Sequence, residues 1–298
     1  MTTYEYLTYT LTDDGRIAQI EMNRPEARNA QNRGLLVELD HAFLAAERDD
    51  DVRVVILSGA GKLFSAGHDL GSKIALTERD PGPDQHQSWM ENGGSRSGTE
   101  KRMLQEWHHF FQNTLRWRNL RKITVAQVHG PVYAAGLMLA WACDLIVASD
   151  DTTFADVVGT RLGMCGVEYF AHPWELGARK AKELLLTGDS IDAEEAHRLG
   201  MVSKVFSRET LGEDTLTFAR RLAQNPTITS LLIKESVNQT MDNMGFINAL
   251  NACFSLHQIN HAHWSEVTGG AMASGSPEFG LPDRWSMPPV QPARADIP

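Results

Sequence analysis

Cysteine is nearly missing from this chain: Cys143, Cys165 and Cys253 are its whole complement in 298 residues, odd in number and far apart. No disulfide framework can be built from them, and they suit reduced thiols in a reducing compartment. Long apolar runs are missing too, since no stretch of about eighteen apolar residues occurs and a membrane-spanning helix is not expected. The first six residues carry Glu5 where a secretory signal would carry a basic residue. A soluble, cytoplasmic chain with no membrane partner is the expectation. Positive charge is the third deficit: 28 Lys and Arg stand against 38 Asp and Glu, a formal net charge of −10. A nucleic-acid partner demands a basic face, so none is expected. An anionic small molecule needs only a local basic patch, for which Arg24, Arg28 and Arg33 are candidates. A solvated cluster beside a helix is the other reading of those arginines.

With 42% hydrophobic and 22% charged residues, the chain can bury one large core. Residues Tyr4–Leu11 and Arg16–Met22 alternate around Asp13, Asp14 and Gly15, which predicts a hairpin. Asn32–Arg48 places Leu35, Leu36, Leu39, Phe43 and Leu44 at helical spacing, and Val52–Leu57 follows as a buried strand. A strand at Ile123–Val128, a helix near Gly136–Ala142 and a strand at Leu145–Ala148 repeat the rhythm. From Thr210 the pattern is helical, in segments Thr210–Ala223, Pro226–Gln239 and Phe246–Asn260. Residues Gly71–Thr99 are rich in Gly, Pro and polar side chains and lack a period, which reads either as a surface excursion or as a lid with Trp89 and Met90.

Two segments stand apart. Gly59-Ala-Gly-Lys-Leu-Phe-Ser-Ala-Gly-His-Asp-Leu70 and Val128-His-Gly-Pro-Val-Tyr-Ala-Ala-Gly-Leu-Met-Leu-Ala-Trp-Ala-Cys-Asp144 each follow a β-type run and turn through small residues. Small residues let a backbone approach a ligand closely with its N–H groups free, so two such turns face to face could stabilise an oxyanion. Nearby patterns fail as other motifs. Phe64 stands where a dinucleotide fingerprint needs its third Gly, Leu63 where a P-loop needs Ser or Thr, and the first Gly of a nucleophile elbow is lacking at Leu63.

These two segments, with Met22-Asn-Arg-Pro-Glu-Ala-Arg-Asn-Ala30 and Leu184 through Val205, resemble the crotonase (enoyl-CoA hydratase/isomerase) superfamily. The resemblance implies an α/β fold, a crotonase-like ββα superhelix of near-perpendicular sheets with a C-terminal helical trimerisation region. It places the spiral core at 1–206, the helical region at 207–276 and a disordered tail at 277–298. It implies an acyl-CoA thioester substrate, a homotrimer or homohexamer, and no permanently bound cofactor, CoA entering as part of the substrate. The backbone N–H groups of His68 and Ala135 fall on the family's oxyanion donors, and only the main chain is needed there. Arg28, Ala66, His68, Asp69 and Leu70 fall on the CoA-binding stretch.

The family's hydratases also use two glutamates for proton transfer. Here the first position holds Met138 and the second Val158 or Gly159, none of which can carry a proton. Glu168 stands within about one residue of the place where other branches put an acid, and it is the first candidate for a general base. Asp156 is the second, with turn formation or helix capping as its alternative role. Asp69 reads as a brace for its turn, and Cys165 as a small buried thiol rather than a nucleophile. His108, His109, His261 and His263 lack a carboxylate or cysteine pattern around them, so helix-surface or interface histidines and no metal are expected. The resemblance therefore implies an enolate-stabilising acyl-CoA enzyme of isomerisation, C–C cleavage or hydrolysis. A non-catalytic acyl-CoA-binding protein remains the alternative.

Overall fold

The computed structural model describes residues 3–74 and 99–269. Trp89, Met90 and the 277–298 tail lie outside them. The hairpin forms as β1 (Leu7–Thr12) and β2 (Ile17–Met22), paired antiparallel. Helix α1 (Arg33–Arg48) starts at Asn32, whose side chain accepts from the Leu35 N–H at 3.4 Å. Strand β3 (Val54–Gly59) then joins β2 in parallel.

A six-stranded sheet is completed by β4 (Ile123–Val128), β6 (Leu145–Ser149) and β9 (Lys204–Phe206), in the order β1-β2-β3-β4-β6-β9. Every pairing after the first is parallel. Parallel strands covered on both faces read as unbroken apolar runs, and β3 is buried at all six positions. Alternate residues go to different cores: Val55 and Leu57 join the large cluster, whereas Val54 and Ile56 pack with Leu211, Ala219 and Ala223 of α9 (Leu211–Ala223). A second, separate sheet has the order β5-β7-β8, from Pro131–Tyr133, Thr153–Ala155 and Ile191–Asp192.

One helical stretch departs from regular geometry. Helix α2 (Thr99–Gln105) passes without a break into a π-helical segment (Glu106–Gln112) and on into α3 (Asn113–Arg118). Among the later elements are α4 (Ala135–Trp141), α5 (Val158–Leu162), α10 (Thr227–Asn243) and α11 (Phe246–Val267). Helix α11 packs on the core through Phe246, Leu250 and Phe254, and Phe254 stacks on Phe111 at 4.6 Å. Helix α10 does otherwise: Ile228, Leu232, Ile233 and Val237 are exposed. No helix among the described residues is long and apolar enough to cross a membrane.

Candidate active site

The early Asn-Arg-Pro segment holds the first turn in shape. Asn29, in a left-handed conformation at φ 49°, is fully buried and donates to the Ala60 and Leu63 carbonyls at 2.8 and 3.0 Å. Arg24 is buried, binds the Ala30 carbonyl and pairs with Asp69 at 3.1 Å. It is therefore a brace rather than a free anion-binding cation, as the burial of a charge requires a partner. Asp69 also accepts from the Ser72 hydroxyl and N–H at 2.7 and 3.0 Å. Burial would raise its carboxyl, but the Ser72 and Arg24 hydrogen bonds outweigh it and hold the group below the usual carboxylate range.

The two small-residue turns meet. A Cβ at Gly67 would lie 3.1 Å from the Ala135 nitrogen, and one at Gly136 only 2.6 Å from the Ser65 carbonyl oxygen, so both contacts depend on glycine. His68 forms a parallel bridge with Gln31 through the Gly67 carbonyl and the Asp69 N–H, at 2.8 and 3.1 Å. In such a bridge the N–H of His68 itself points away from Gln31. Ala135 opens α4, where the first N–H groups have no intrahelical acceptor. Among the described residues neither N–H has a hydrogen-bond partner.

Both residues line a cavity of about 380 Å³, together with Ala66, Leu70, Val158 and Glu168. Of the two places for the second family glutamate, Val158 faces this cavity and Gly159 does not. Met138 is buried in the large core instead, and it does not line the cavity. Glu168 is buried, and its Oε2 lies 3.1 Å from His68 Nε2 while its Oε1 lies 3.5 Å from His257 Nε2. Burial pushes its carboxyl up, but the His68 and His257 imidazoles win and hold it below the ordinary value, so the group is ionised.

Other sequence candidates fall elsewhere. Asp156 is buried outside the cavity lining, where it accepts from the Val158 N–H at 2.9 Å, the Val167 N–H at 3.1 Å and His172 Nε2 at 3.0 Å. With its oxygens so engaged it braces the loop. Arg28 is exposed with φ 57° and does not line this cavity, and Asp69 lines a smaller neighbouring one. Cys165 is exposed rather than buried.

The imidazole of His68 is not a bystander to its N–H group, because it pairs with Glu168 and stacks on Phe110 at 3.7 Å. Sequence reasoning also missed Glu106, His257 and His261, which line the same cavity. His109 and His261 are buried rather than on a helix surface, and His261 Nε2 has a carboxylate partner, Glu106 Oε1, at 3.1 Å.

This arrangement can be set beside known proteins. The sequence model of the family described as Enoyl-CoA hydratase/isomerase matches residues 12–270. A Mycobacterium tuberculosis protein named "Putative enoyl-CoA hydratase EchA13" is 65% identical over 97% of this chain and 91% of its own length. The mitochondrial enoyl-CoA hydratase of Pongo abelii is 31% identical over 76% of this chain and 70% of its own. Among solved structures, a probable enoyl-CoA hydratase from Mycobacterium smegmatis superposes with a TM-score of 0.79 at 42% identity, covering 90% of this chain and 99% of that one. The two turns, the paired sheets and these matches agree in one conclusion: the chain belongs to the enoyl-CoA hydratase/isomerase family.

Proposed function

We infer that the chain acts on acyl-CoA thioesters by stabilising an enolate, with Glu168 as the base and without the usual hydratase pair. One observation carries this reading: His68 and Ala135, whose N–H groups have no partner among the described residues, line a single cavity with Glu168. Two N–H groups aimed at a thioester oxygen stabilise the negative charge that develops there. An ionised carboxylate in the same cavity can take a proton from the α carbon. Protonated again at another carbon, the enolate gives isomerisation; formed by loss of a carbon substituent, it gives C–C cleavage.

Water addition lacks its partners at Met138 and Val158. Glu106 is a second carboxylate in the cavity, but its oxygens are held by His261 and by Gln258 Nε2 at 2.8 Å. It also stands on the Glu168 side, since both carboxylates approach His257 Nε2. Each proton-transfer group is worth about 10²–10⁴-fold. The purified protein is therefore expected to hydrate crotonyl-CoA negligibly, followed as loss of the conjugated enoyl thioester absorbance. Hydration at ordinary enzyme rates would overturn that part of the reading. One observation favours the non-catalytic alternative: a carboxyl held low by two imidazoles is a weak base in the free protein. An acyl-CoA that binds and is never turned over would support it.

The assembly belongs to the same reading. Ile228, Leu232 and Val237 on α10, with Leu256 and Ile259 on α11, leave large apolar side chains exposed on the single chain. Patches of this kind mark association surfaces. A homotrimer, or a pair of trimers, is expected by light scattering at micromolar concentration, and a monomeric mass would refute it.

A further inference from the structure

We propose that Glu106, His257 and His261 form a binding site for a divalent cation of the Zn²⁺ class, on the wall of the acyl cavity. The spacing is that of a helical metal motif. His257 and His261 are four residues apart on α11, hence on one face, and Glu106 comes to them from the π-helical segment of another helix. Their donor atoms all lie within 4.8 Å of one another, with His261 Nε2 at 3.1 Å and His257 Nε2 at 3.9 Å from the Glu106 oxygens. Ligand atoms bonded at about 2.0–2.1 Å around tetrahedral zinc stand roughly 3.3 Å apart, so small imidazole rotations bring the three donors to a common ion.

The surroundings distinguish this group from a chance cluster. His257 Nδ1 lies 2.9 Å from the Gly166 carbonyl, which accepts, so Nδ1 carries the proton and Nε2 is the atom left for the site. That Nε2 is buried and has no hydrogen-bond partner among the described residues. An imidazole fixed through Nδ1–H to a backbone carbonyl, with Nε2 free, is the second-shell arrangement of metal-binding histidines. Facing the nitrogen are two carboxylates, Glu106 and Glu168, the latter with Oε1 at 3.5 Å. Two carboxylates facing one imidazole nitrogen call for positive charge between them, and a divalent cation supplies it. Gln258 Nε2 donates to Glu106 Oε2 at 2.8 Å, which turns the carboxylate and leaves Oε1 toward His261. A π-helical segment fits as well, for such segments concentrate at functional sites.

The proposal stands on the donor set and not on the acyl-CoA reading, so the two fail separately. The full-length, tag-free protein is stripped with a chelator and titrated with Zn²⁺ by calorimetry, then with Co²⁺ by visible absorption. One equivalent of Zn²⁺ per chain and an intense ligand-field band with Co²⁺ are expected. His261→Gln should abolish both, and Gln258→Ala should weaken binding by about 10–100-fold. His263→Gln, at an exposed position two residues on, should change neither. Should His261→Gln fail to fold, Gln258→Ala decides alone. The absence of saturable binding overturns the proposal, as does binding that Gln258→Ala leaves unchanged.

Discussion

Glu168→Gln is expected to lower the turnover of any acyl-CoA the protein accepts by about 10²–10⁴-fold, the worth of one general base. Binding of the same acyl-CoA should change little, because glutamine has the shape of glutamate and its amide can still meet His68 Nε2, now 3.1 Å from the carboxylate. The carboxylate is ionised and is held low by His68 and His257, so the free protein has a weak base. The variant is checked by steady-state turnover beside calorimetric binding. Unchanged turnover would remove Glu168 from the mechanism.

The second large effect is expected at Ala135, through its backbone alone. Proline is tolerated at the first position of a helix, and Ala135 is the first residue of α4. Ala135→Pro deletes that N–H, and because its ring must also fit the buried contact with Gly67, turnover is read beside the folding of the variant. Removing one oxyanion donor costs about 10²–10³-fold in turnover. The structural control is the melting transition, and the comparison of turnover is made where the variant is folded. A variant that melts normally and turns over normally would show that the thioester oxygen does not rest at this N–H.

Much of the fold was legible because its signals are local. The alternation of β1 and β2, the helical spacing in α1 and the unbroken apolar run of β3 each report a periodicity that the backbone imposes. The two turns were legible for a related reason, since the close approach of Gly67 to Ala135 admits no side chain. The far wall of the cavity was not legible. Glu106 lies in a π-helical segment, where the 3.6-residue period breaks down, and His257 and His261 reach it from about 150 residues later in the chain. A signal existed in the four-residue interval between His257 and His261. Pairing His261 with His263 instead obscured it, because residues two apart on a helix do not share a face. The imidazole of His68 was missed for the opposite reason: its backbone role sufficed, so the side chain was given none.

Proton exchange at the α carbon tests the central claim most directly. The metal-free protein is incubated in D₂O with a saturated acyl-CoA shown to bind, and deuterium at the α position is followed by mass spectrometry. An enzyme with a working oxyanion site and base exchanges that proton without needing the rest of its reaction. Exchange by the native chain is predicted, with strong loss in both Glu168→Gln and Ala135→Pro. No exchange from any acyl-CoA that binds, or exchange that survives both substitutions, would contradict the account.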